Sequence, residues 1–186
     1  MPIDSSEVRL APFGHVYIGP IGTTLPTTAT MPLDPSFQSV GYIDADGVSL
    51  SPNVELTDIM AWQSAVPVKT TVDTVTVEVS FVMLQTNRQT WELFFLNEQF
   101  SNNFGEAELV IGSSPPSQEK AVIIEWQDDE EDQTRLVIPR GIVANREQLT
   151  LVRNDAVKPG VTIRCLDNSG VLAYVLSENP DLVPST

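Results

Sequence analysis

The sequence predicts a mainly β protein, a sandwich or barrel with one flanking α-helix and extended arms. Three observations carry that expectation. One long segment alternates at period two, one short stretch has helical spacing, and several short apolar runs are separated by Gly, Pro and Asn turns. The 186 residues suffice for a single domain, which at this size buries roughly 70% of the surface of its unfolded chain. Apolar residues make up 41% and charged residues 19%, the balance of a globular rather than a disordered chain.

The first third is punctuated by proline, threonine and serine and carries only short apolar pieces, at His15 to Ile18 and Val40 to Ile43. Residues 1–30 are therefore expected to hold an arm and a first strand, and 31–178 the main β domain. Within that domain, 44–71 reads as a long loop. Val75, Val77, Val79, Phe81 and Met83 then alternate with Thr74, Thr76, Glu78, Ser80 and Val82, a strand with one buried face and one wetter face. Upstream the apolar residues fall on even positions (Val66, Val68, Val72), so the phase slips near Asp73 and a β-bulge or bend is expected there. Thr86 and Gln89 are spaced as a capping box, and Trp91, Phe94 and Phe95 follow at helical spacing; a helix over 87–99 is expected. Further strands are expected at Ala107–Ile111, Lys120–Gln127, Thr134–Pro139, Gln148–Arg153, Val161–Leu166 and Val171–Leu176. The closing 179–186 segment reads as a loose tail or docking arm.

Chemistry is hard to assemble from these residues. His15 is the single histidine and Cys165 the single cysteine. An intrachain disulfide and a multi-cysteine metal site are thereby excluded. No GxSxG elbow and no phosphate-binding glycine loop is present. Cys165 shares parity with Val161 and Ile163, the position of a buried, inert thiol. The acidic run Asp128 to Asp132 has the oxygen chemistry of a calcium site. It lacks EF-hand spacing, however, and reads as a solvated hairpin tip. No catalytic, cofactor or metal residue is nominated. With 25 acidic and 10 basic residues, a net charge of -15, the surface repels nucleic acid. The N-terminus lacks the marks of a signal peptide and no run approaches a membrane span. A soluble protein made in the cytoplasm is expected.

The order of several segments goes further. GHVYIGPIGTTLPT (Gly14 to Thr28) precedes FQSVGYIDADGV (Phe37 to Val48), LTDIMAW (Leu56 to Trp62) and TNRQTWELFF (Thr86 to Phe95). That succession resembles the first half of major tail proteins, the tail tube subunits of long-tailed siphophages of actinobacteria. The resemblance implies a structural virion protein that forms hexameric rings stacked into a tube for genome ejection. It also implies partners: further copies of the chain, and tape-measure and tail-terminator or tip proteins, with DNA passing through unbound. A related tail-completion or secretion-tube subunit is the alternative; a ligand- or glycan-binding sandwich and an enzyme rank below it. Mapped onto this chain, the segments bridging subunits are Met1 to Pro12, Asp44 to Thr71 and Asn179 to Thr186.

Two sets of side chains become candidates in that setting. Ile59, Met60 and Trp62 are apolar residues in an irregular region, suited either to an inter-subunit anchor or to covering one end of the subunit's own core. Thr74, Thr76, Glu78 and Ser80 are the polar row of the alternating strand, a candidate lumen wall.

Overall fold

The computed structural model describes residues 8–95, 98–113, 119–128 and 131–183. It is mainly β, as expected, with one α-helix. Eight antiparallel strands make the main sheet. They are β1 (Phe13–Pro20), β2 (Gln38–Ser39), β3 (Ile43–Met60), β4 (Pro67–Met83), β7 (Lys120–Gln127), β8 (Gln133–Arg146), β9 (Gly160–Cys165) and β10 (Tyr174–Ser177). A separate hairpin comprises β5 (Ser101–Asn103) and β6 (Glu106–Glu108). The order is β2-β1-β7-β8-β9-β4-β3, with β10 on β8. β2 and β3 end the order without meeting, so the sheet does not close into the barrel that was one expected form.

β8 organises this sheet. Along one flank, Thr134–Val137 pairs with β10 while Gly141–Arg146 pairs with β9. On the other flank β7 slips register between Lys120 and Val122. Pro139 falls in that slip. A proline has no N–H for the ladder and is tolerated where pairing is interrupted and the strand bends.

The core lies on one face of this sheet. Val16 from β1, Val122 and Ile124 from β7, Ile138 from β8, Ile163 from β9 and Phe81 from β4 join one cluster with Leu93 and Phe94. Those last two belong to α1 (Arg88–Phe94). The opposite face of β1, β7, β8 and β10 is covered by 21–37, whose Leu25, Leu33 and Phe37 pack on Ile123, Val137 and Tyr174. With both faces covered, β7 reads as the continuous apolar run Ala121 to Ile124 instead of an alternation. Arg135 fastens the cover. It ion-pairs with Glu125 at 2.5 Å and donates to the carbonyls of Thr28 (3.0 Å) and Met31 (2.6 Å).

Four sequence expectations are corrected. The region 44–71 is mostly strand, because β3 and β4 form one long hairpin with a turn at 61–66. The helix spans 88–94 and not 87–99, and the Thr86/Gln89 capping box is not used. Instead Asn87 is the cap, its Oδ1 accepting from the Thr90 N–H at 3.0 Å. The helix stops where Arg146 takes the Phe94 carbonyl (2.6 Å) and Glu92 accepts from the Phe100 N–H (3.1 Å). Residues 96–97 of the expected helix lie outside the described residues. Residues 148–153 form no strand; β9, and not this segment, pairs with Gly141–Arg146 of β8. The strand expected at 107–111 is only the short β6, paired with β5 alone.

Candidate assembly surface

The β3–β4 hairpin carries the feature that bears most on function. Leu50 pairs with Val79, Pro52 with Val77, Val54 with Val75 and Leu56 with Val72. Side chains alternate across a strand, so these pairs share the face that Val79 presents to the core. Near the body that face is dry, and Val79 is 0% exposed. Further out the same stripe has nothing over it: Val75 is 52% and Val72 61% exposed.

The stripe stays on one face because of a single irregularity. Glu55 pairs with Thr74 but Leu56 with Val72, leaving Asp73 unpaired in the ladder. This is the bulge that the phase slip predicts. Without it Val72, an odd number of residues from Val75, would lie among the polar side chains. The Asp73 carboxylate accepts hydrogen bonds from the Thr57 and Thr71 hydroxyls, and Asp58 accepts from Thr70 at 2.7 Å.

At the outer end Ile59 and Met60 are about half exposed and Trp62, in the turn, is 96% exposed. They do not cover the subunit's own core. Thr74, Thr76, Glu78 and Ser80 lie on the face opposite the stripe, beside Ser49, Ser51, Asn53 and Glu55 of β3. On their other flank, Ser80 meets the Thr162 hydroxyl at 3.1 Å and Glu78 pairs with Arg164 at 2.8 Å. The polar row thus continues across three strands. The expected apolar partners of this row do face the interior at Val79, Phe81 and Met83, whereas Val75 lies beyond the body.

Leu50, Val54 and Leu56 did not emerge from the sequence as part of a surface. Pro52, Gly47 and the acidic Asp44-Ala45-Asp46 break the run, and the even-numbered alternation from Leu50 to Leu56 was the available signal. The acidic stretch itself is looped out of β3, between the pairs Ile43↔Met83 and Val48↔Phe81, and Asp44 is held by Lys158 at 3.3 Å.

The remaining candidates are accounted for structurally. His15 is exposed on β1, opposite Glu125. Cys165 is buried, and desolvation, aided by the charge of Glu78, pushes its thiol up to about 11, so it is a poor nucleophile at neutral pH. The acidic tip joins β7 to β8; Asp129 and Glu130 lie outside the described residues. Asp128 is buried, accepts the Asp132 N–H at 2.9 Å and pairs with Arg9 at 3.6 Å, and Arg9 also reaches Asp181 at 3.4 Å. The described part of the N-terminal arm is thereby tied to the turn Pro180–Leu182 of the tail. Among the described residues no group of three potential ligands could hold a metal, and no helix is long and apolar enough to cross a membrane.

A closed core, a covered back and a hairpin whose apolar stripe runs out into water are the features of this fold. The chain belongs to the phage tail tube protein family, whose model matches residues 1–185, and it is a structural component of the phage tail. A solved structure described as the tail of an empty GTA particle with C6 symmetry is similar over 90% of this chain and 96% of its own, at 10% identity and a TM-score of 0.41. No curated protein matches the chain.

Proposed function

We propose that six copies of this chain close into a ring and that rings stack into the hollow tail tube. The β3–β4 hairpin lies against a neighbouring copy. The observation that carries this is the apolar stripe Leu50, Val54, Leu56, Val72 and Val75, continuous with the core and uncovered within the subunit. An exposed face of that kind on a soluble chain marks a contact surface. Ile59, Met60 and Trp62 extend this contact at its outer end, Met60 on the stripe's face and Ile59 on the opposite one. Ring closure makes the contact heterologous, stripe on one copy and receiving surface on the next.

The opposite face supports a lumen wall. Thr74, Thr76, Glu78 and Ser80 present hydroxyls and a carboxylate, in a chain of net charge -15. Such a wall repels phosphates and lets DNA pass without sticking. The role is architectural and not catalytic: His15 is exposed on β1, and Cys165 is protonated and buried. Tape-measure and tail-terminator or tip proteins are the partners expected at the tube's core and ends.

Negative-stain imaging of concentrated purified protein tests the proposal. Hollow tubes of stacked six-fold rings are expected, and a chain lacking 54–67 should remain a folded β-rich monomer that forms none. A wild-type protein that stays monomeric at every concentration sinks the proposal; tubes from the deletion variant remove the hairpin's role in it.

A further inference from the structure

The outer half of the β3–β4 hairpin has two free edges, because β9 pairs with β4 only from Glu78 to Val82 and β3 ends the sheet order. An unpaired edge recruits other strands unless proline, lysine or a bulge blunts it. The outer β4 edge has all three: Pro67 lacks an N–H, Lys69 adds charge, and Val68 and Asp73 are each skipped in the ladder. The β3 edge from Asn53 to Met60 has none of them. It runs through both slips without a skipped residue, and its side chains are exposed. One edge of the hairpin is protected and the other is left open.

Elsewhere the chain holds strand-forming residues without a ladder. Gln148 to Arg153 reads QLTLVR, with leucines alternating against polar residues and a valine beside them. None of the N–H groups from Gln148 to Val152 donates to a described residue. Leu149 rests on the core, whereas Leu151 and Val152 are exposed. Length and charge match this segment to the open β3 edge. Among the described residues the free edges at β1, β2, β5, β6, β8 and β10 are each shorter than the segment. The segment has no acid, and its Arg153 makes no hydrogen bond or ion pair with a described residue. Lys69 on the β4 edge repels it, while Glu55 and Asp58 on the β3 edge attract it. The faces agree as well. Asp58 lies on the stripe's face, next after Leu56, and in a strand Arg153 shares a face with Leu151. Laid along β3, Leu151 widens the apolar stripe, Arg153 meets Asp58, and Thr150 joins the hydroxyl row.

We propose that residues 148–153 become a strand on the Asn53–Met60 edge of a second copy of the chain. This contact lies in the plane of the sheet, through backbone hydrogen bonds, and is separate from the packing across the stripe. It rests on the tube assembly proposed above.

Two measurements on purified protein test it. The first is amide hydrogen exchange in the monomer and in tubes, read residue by residue by NMR after the tubes are dissolved. The amides of 148–152 should exchange freely in the monomer. In tubes every second one should slow by at least about 100-fold, because a strand paired on one flank turns alternate N–H groups toward its partner. Uniform protection of these amides, or none, overturns the strand. The second measurement identifies the partner by charge reversal. Arg153→Asp and Asp58→Arg, both at exposed positions, should leave monomer unfolding unchanged. Each should raise the critical concentration for tubes about tenfold, and the double variant should return it to within about threefold of the wild type. Additive losses in the double variant overturn the pairing with β3 and leave the tube reading standing. A wild-type chain that forms no tubes overturns both.

Discussion

The two halves of β4 share one alternating pattern and have opposite fates. From Val77 to Met83 the strand lies between β3 and β9, and its apolar face is covered by Leu93 and Phe94 of α1. From Pro67 to Val75 it has β3 alone, and the same face meets water. The alternation is therefore a statement about which face will be buried, not about which molecule buries it. Inside the body the covering partner is the chain's own helix; in the hairpin no described part of the chain covers it, and the proposed partner is another copy.

That contrast can be broken from the body side first. Arg135→Met leaves the part-buried Glu125 without its cation and frees 21–37 from two carbonyl anchors. Removing one partner of such a pair costs about 3 kcal/mol, to be read from urea unfolding of the monomer. A loss under about 1 kcal/mol would mean that the cover is held by packing alone. On the hairpin side, Leu56→Asp with Val72→Asp should leave monomer stability within about 0.5 kcal/mol while raising the critical concentration for tubes at least about 100-fold. Sedimentation at graded concentrations measures it, and equal instability of the monomer would show that the stripe is covered at home.

The cleanest comparison uses two valines on one face of one strand. Val79→Ala should destabilise the monomer by about 2 kcal/mol through lost burial and a cavity. Val75→Ala should cost less than about 0.5 kcal/mol and show itself in assembly. The last test varies pH. Cys165 has a folded pKa of about 11 against an ordinary 9.0, so the folded state holds the proton more tightly. Stability is intact below pH 9 and declines as pH rises toward 11, by about 1 kcal/mol at pH 10. Thermal melts across that range should show the decline in the wild type and lose this component in Cys165→Ala.

Much of this body was legible from residue order. Period two identified β4, turn residues bracketed β7 and β9, and the parity change at Asp73 located the bulge. The hairpin's first strand was not legible because Pro52, Asn53 and Gly47 are ordinary loop residues, and only their pairing with β4 makes a strand of them. Pro52 is tolerated at the edge of the sheet, where a missing N–H costs no ladder bond inside the body. The helix end was misplaced for a tertiary reason, since Arg146, more than fifty residues away, takes the Phe94 carbonyl. The expected strand over 148–153 had suitable residues, but β9 takes the flank of β8 beside it. Sequence pattern reports faces and periods; it does not report which edges are already taken.

The unpaired Asp73 has a consequence for how this hairpin tolerates change. It acts as a one-residue frameshift in the side-chain period, so everything between it and the turn is read in the opposite phase from the body. Removing Asp73 would restore a regular ladder with Val72 still on the stripe and Thr71 on the hydroxyl side, whereas adding one residue beside it would exchange these two coats of the outer β4 strand. Other length changes in this arm should therefore be survivable in twos, or singly when a second slip restores the phase. The hairpin can grow or shrink, but in steps set by the pleat.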